Sequence, residues 1–172
     1  MSAQFPRDFS PDSDYLHALQ AQAEQDGRTC VVGGLVLNPQ GKVFVQKRSP
    51  NRRLFPNCWD IVGGHVDPGE TLYEALARET EEETGWRLAR ILSVAGIFDW
   101  DAGRGDWTES VREFDFVIEL HGDLDKPRIE VGKVSEVRWI GRDDLWILEE
   151  DRAANVITVY EVVSKVLKNA TR

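Results

Sequence analysis

The stretch from Gly64 to Trp86, GHVDPGETLYEALARETEEETGW, constrains this chain more than any other. It holds seven of the 30 acidic residues and one of the 21 basic ones, and so carries −6 of the net −9. Thr71 and Glu74 have the spacing of a capping box, in which each side chain satisfies the other residue's free N–H, and this predicts a helix from about Leu72. Gly85 suits the left-handed position that ends helices, so the helix is expected to stop near Thr84. Successive helical residues turn by roughly 100°. Leu72, Ala75 and Leu76 then share a face, and Glu79, Glu82 and Glu83 continue it. A solvated acidic helix keeps its charge opposite the apolar stripe; here the stripe runs into three carboxylates. Inward carboxylates repel one another and are costly to bury. A hard divalent cation such as Mg²⁺ or Mn²⁺ relieves both costs, because it takes oxygen ligands. The competing reading is an exposed acidic helix with accidental phasing.

The same residues resemble the Nudix box, G-x5-E-x7-R-E-U-x-E-E-x-G-U, where U is bulky and apolar. Gly64, Glu70, Arg78, Glu79, Glu82, Glu83 and Gly85 fall at its fixed positions. Thr80 stands where the box has an aliphatic residue, and Trp86 fills the last apolar place. The resemblance implies an α/β chain with a Nudix-like α/β/α sandwich and a mixed β-sheet. It also implies hydrolysis of a nucleoside diphosphate linked to another moiety. Under it, Glu79, Glu82, Glu83 and the carbonyl of Gly64 would hold Mg²⁺ or Mn²⁺, which lowers the pKa of a bound water. Arg78 would pair with Glu82 at i,i+4 and fix its rotamer. Glu70 is expected to organise the loop rather than to ligate. Many relatives carry an acid six places before the tryptophan that resembles Trp139; Lys133 stands there, which makes Glu130 a candidate further ligand or a solvated loop residue.

A length of 172 residues suits a single domain, 14–172, behind a flexible arm, 1–13, that contains Pro6 and Pro11. No apolar run approaches the roughly 20 residues of a membrane span, so no membrane partner is expected. Met1 to Gln25 lacks the basic start and apolar core of a signal peptide. Cys30 and Cys58 are the only two cysteines, without a C-x-x-C, and a cytoplasmic, reduced protein is expected. A pI near 4.9 argues against nucleic acid as partner and leaves a small-molecule nucleotide held through metal ions. A homodimer is left open.

Along the chain, helices are expected over Asp14 to Asp26 and Asp151 to Asn169, with strands at Arg28 to Leu37, Val43 to Lys47, Arg87 to Trp100 and Ser135 to Gly141. Asp101 to Trp107, with two glycines, reads as a loop that governs substrate choice, with Arg104 and Trp107 as contacts or else as a plain hairpin tip. In the next strand Phe114, Phe116, Ile118 and Leu120 alternate with Glu113, Asp115, Val117 and Glu119, so one face is core and the other meets solvent or a cleft. Lys47, Arg48, Arg52 and Arg53 are either a phosphate clamp or a solvated loop, and for Arg48 the Nudix resemblance implies a substrate or scaffold ion-pair role as the alternative to a solvated one. Trp59 either stacks on a base or sits in the core. His65 reads as structural rather than as a base. A nucleoside triphosphate is the first expectation for the substrate, and a nucleotide sugar or ADP-ribose-type compound the second. Two rivals are an isopentenyl-diphosphate-isomerase-like enzyme and a non-catalytic nucleotide-binding module. The complete set of box acids weighs against both.

Overall fold

The computed structural model describes residues 7–152 and 158–170, with Arg104 described in its backbone only. Helix α1, Asp14–Gln25, begins where the Ser13 hydroxyl accepts the Leu16 N–H at 3.1 Å. In the segment before it, which was expected to be a flexible arm, residues 7–12 are exposed apart from the half-buried Phe9. Phe9 meets Tyr15 edge-on at 5.9 Å, and the Arg7 guanidinium lies 4.7 Å over the same ring.

Strands β1 (Thr29–Val36), β2 (Val43–Arg48), β3 (Trp59–Asp60) and β4 (Val62–His65) follow, then helix α2 (Leu72–Thr84). Strands β5 (Arg87–Arg104), β6 (Trp107–His121) and β7 (Val134–Ile140) lead to a 3-10 helix, Arg142–Glu149, and to helix α3, Thr158–Asn169. One sheet has the order β4-β1-β6-β5 and is mixed, because β1 runs parallel to β6 and antiparallel to β4. A second, antiparallel sheet has the order β3-β2-β7 and is additional to the one expected sheet.

Period-2 alternation explains the layers. Val32 and Val36 of β1, with Phe44 of β2, join a core built with Leu16 of α1 and Leu72 and Leu76 of α2. Leu35, Val43 and Val45 point the other way, into a core with Ile147, Val163 and Leu167. Helices therefore cover both faces of the sheets, and fully burying each such side chain stabilises the fold by about 1.5–3 kcal/mol.

The segment from Asp101 to Trp107, open between a loop and a hairpin tip, is the end of a long hairpin. Asp101 pairs with Ser110, Ala102 with Glu109, Gly103 with Thr108 and Arg104 with Trp107, which leaves Gly105 and Asp106 to make the turn. Cross-strand bonds hold it, such as Ser110 Oγ to Asp101 Oδ1 at 2.7 Å. The last helix starts at Thr158 rather than Asp151; Asp151 has φ +55, which a helix does not accommodate, and residues 153–157 lie outside the described residues.

Candidate active site

Helix α2 forms as its caps predict. The Thr71 hydroxyl accepts the Glu74 N–H at 3.1 Å, and the Glu74 carboxylate accepts the Thr71 N–H at 2.9 Å. Gly85 ends it with φ +74. Thr80 and Thr84 continue the buried stripe of Leu72, Ala75 and Leu76. Each threonine hydroxyl donates to the carbonyl four residues earlier at 2.6 Å, so a polar residue fits an aliphatic place without an unpaired group.

The box acids divide by position on this helix. Glu79 and Glu83 flank the buried stripe and line a cleft of about 380 Å³. Glu82, whose side chain is 48% exposed, is not among the described residues that line it. Glu83 accepts Gln46 Nε2 at 2.8 Å and the Gly63 N–H at 3.0 Å. Burial pushes its carboxyl up to about 8, and the Glu79 charge adds to the rise. Burial raises Glu79 as well, against the lowering effect of Arg78. The Glu79 carboxylate lies against Gly64, where any Cβ would collide with it, so only glycine lets backbone and carboxylate approach this closely.

Arg78 holds this corner together. Its Nε and Nη2 donate to the two Glu70 oxygens at 2.8 and 3.0 Å, and Nη2 also reaches the His65 carbonyl at 3.0 Å. Its Nη1 donates to Glu79 at 2.7 Å and reaches Glu82 only at 3.4 Å. The expected i,i+4 pair with Glu82 is thus the weakest of these contacts, because Glu70 and Glu79 take the fork. The Arg78 bonds hold the Glu70 carboxyl below its ordinary range, and Glu70 also accepts the Asp67 N–H at 3.0 Å.

Cations from other elements complete the cleft: Arg48, Arg52, Arg53, Lys133 and Arg152. Arg48 makes no salt bridge with a described residue; its Nε donates to the Leu54 carbonyl at 2.9 Å. Trp107 does not line the cleft, but its ring lies 3.9 Å from the Arg53 guanidinium. Trp59 is 1% exposed and has no face open to a base; it packs against Lys47 and Arg138. Glu130 pairs with Lys133 at 2.6 Å, and it is Lys133 that reaches the cleft. The Arg104 side chain lies outside the described residues. His65 lines the cleft with its Nε2 3.1 Å from Glu109. Cleft residues that the sequence did not single out are Asp60, Glu113 and Arg152, while Trp100, which brackets the 101–107 segment with Trp107, does line the cleft. The one signal was the polar alternation of Glu113 and Asp115, which marked a face but not what covers it.

Enzymes of the family that the box resembles generally use divalent cations. Among the described residues no three His, Cys, Asp or Glu side chains converge as a ready-made cation cage. The donor chemistry fits a divalent cation nonetheless: two carboxylates one helical turn apart, both raised by burial, meet backbone of the glycine pair, Glu79 at Gly64 and Glu83 at the Gly63 N–H.

Fold and cleft together define an α/β sandwich in which an acidic helix faces a cationic pocket. The chain belongs to the Nudix family, since the NUDIX domain model matches residues 27–161. It is 32% identical over 121 residues to the nucleoside triphosphatase NudI of Escherichia coli K12, covering 70% of this chain and 82% of that protein. It is 50% identical over 54 residues to an uncharacterised Nudix hydrolase of Nostoc, a match that spans only 32% of that protein. The crystal structure of the MutT protein of Methanosarcina mazei has the same fold, with a TM-score of 0.66 at 23% identity over 84% of this chain and 96% of that one.

Proposed function

We propose that this chain is a divalent-cation-dependent pyrophosphohydrolase of nucleoside triphosphates. One observation carries it: a single cleft joins Glu79, Glu83 and Gly64 to Arg48, Arg52, Arg53, Arg152 and Lys133. The name and the coverage of NudI support the choice of a triphosphate over a nucleotide sugar or ADP-ribose. Glu79, Glu83 and the Gly64 carbonyl would hold the cation, and Arg78 positions Glu79 for it. A bound Mg²⁺ or Mn²⁺ supplies Lewis acidity and a water of lowered pKa. Arg48, Arg52 and Arg53 bind phosphate oxygens, to which a guanidinium donates bidentately.

The test is a panel of nucleoside triphosphates, nucleotide sugars and ADP-ribose with Mg²⁺ or Mn²⁺, with products identified. Triphosphates should give a monophosphate and pyrophosphate, and Glu83→Gln should lower kcat/KM by about 100-fold or more while the circular dichroism stays native. Faster turnover of a nucleotide sugar would replace the triphosphate with the second expectation. An undiminished Glu83→Gln enzyme, or tight binding without turnover under every divalent cation, would overturn the hydrolase reading.

A further inference from the structure

Beside the box corner, the cleft holds a second set of acids that phosphate chemistry does not use. Glu113 of β6 lines it, and one of its oxygens accepts the Trp100 indole N–H at 2.8 Å. Asp115, two residues on and on the same side of the strand, is 1% exposed, and neither of its oxygens has a donor among the described residues. It lies against Gly33 of the neighbouring β1, where any Cβ would collide with its Oδ1. Asp60 also lines the cleft and adds its charge to both. Opposite in sign, Arg152 lines the cleft with a side chain only 4% exposed, and its Nε has no acceptor among the described residues. The Arg152 guanidinium sits 5.1 Å over Phe55, which meets Trp100 edge-on at 5.8 Å.

Buried polar groups are almost always paired, and leaving them unpaired is costly. An anionic phosphate is repelled by Asp60 and Glu113, so this part of the cleft suits the uncharged part of a nucleotide. Burial raises both Glu113 and Asp115, and the Glu113 charge raises Asp115 further. Asp115 thus backs Glu113 without a donor of its own, and Glu113 is the carboxyl that lines the cleft and can meet a ligand. The flat walls of Phe55 and Trp100 suit an aromatic ring rather than a sugar.

We propose that Glu113, with Asp60, Trp100 and Arg152, forms a nucleobase subsite that selects bases bearing an exocyclic amino group. The proposal deepens the triphosphate reading and rests on it for the placing of the phosphates. Glu113 and Asp60 accept from the amino group, and Arg152 donates to a base carbonyl or ring nitrogen. A base with a carbonyl at the amino position would set oxygen against oxygen, and a site built for a hydrogen bond rejects an analogue that lacks it.

The test uses matched pairs: CTP against UTP, in which a carbonyl replaces the amino group and N3 gains a proton, and GTP against ITP, in which hydrogen alone replaces it. Binding is measured by calorimetry and turnover by product release with Mg²⁺. The native protein should bind the amino-bearing member of at least one pair about tenfold or more tightly. Glu113→Gln, which turns one acceptor into a donor, should lose that preference. Trp100→Phe, which removes the N–H holding Glu113, should weaken it. Equal binding within both pairs, or a ratio unchanged in both variants, overturns the subsite and leaves the hydrolase reading standing. A preference that follows the ribose 2′-hydroxyl, CTP over dCTP, and disappears in Glu113→Gln also overturns it. Selective binding that Glu113→Gln abolishes, with no turnover under any divalent cation, upholds the subsite and overturns the hydrolase reading.

Discussion

Asp115 is a charge-bearing group whose two oxygens meet no donor among the described residues. Its carboxyl is raised well above its ordinary 3.8, chiefly by burial. A raised acid binds more protons folded than unfolded, so stability is fully present below the unfolded pKa and falls as pH rises above it. The native protein should therefore lose stability from about pH 4 upward relative to Asp115→Asn, and the two should converge near pH 4. Asparagine keeps the shape and brings N–H donors that Glu113 can accept. At pH 7 the variant should be more stable by on the order of 1–2 kcal/mol, roughly 2–8 °C in Tm. Thermal unfolding between pH 4.5 and 8 checks this, and parallel Tm curves would refute it. The sequence showed that Glu113 and Asp115 share a strand face, because alternation is local. It did not show burial, which depends on elements distant in sequence.

Among the elements, α2 and the β5–β6 hairpin differ in how far local chemistry determines them. The ends of α2 follow from Thr71, Glu74 and Gly85, each acting within one turn, and both were legible. The phase was legible in part: Glu79 and Glu83 face the cleft, but Glu82, one residue short of Glu83, has turned toward solvent. For 101–107 the glycines left a loop and a hairpin tip open, and pairing with residues 107–110 decides for the hairpin. That pairing gives Trp107 a different task from a base contact. Its ring holds Arg53, a cleft residue, at 3.9 Å. A cation–π contact contributes about 0.5–2 kcal/mol. Trp107→Ala should raise KM for the substrate about 3- to 10-fold with kcat little changed, because Arg53 loses its preferred place but the box corner is untouched. A fall in kcat at constant KM would show that the ring serves the chemistry instead.

At the scale of the whole molecule, a chain of net charge −9 presents a cleft with five cations and five acids, and strands far apart in sequence assemble it. The parallel pairing of β1 with β6, Val32 opposite Phe114, was not legible, since nothing local distinguishes one buried strand as the partner of another. Without a cation, burial raises both Glu79 and Glu83, the Glu79 charge raises Glu83 further, and the pair remains a cost to the fold. A ligand that binds the folded state alone stabilises it by mass action, about 2.7 kcal/mol at 100 times its Kd. Mg²⁺ or Mn²⁺ at such a concentration should raise Tm by roughly 5–10 °C, reversibly with EDTA. Potassium chloride at equal ionic strength should not reproduce the shift, because screening acts on all the acids rather than on this corner. The variant carrying both Glu79→Gln and Glu83→Gln should start more stable at neutral pH, having shed the buried repulsion, and should gain little from either cation. This readout needs no turnover, so it separates cation binding from catalysis. An equal Tm gain in native and doubly substituted protein would place the cation elsewhere, among the exposed acids.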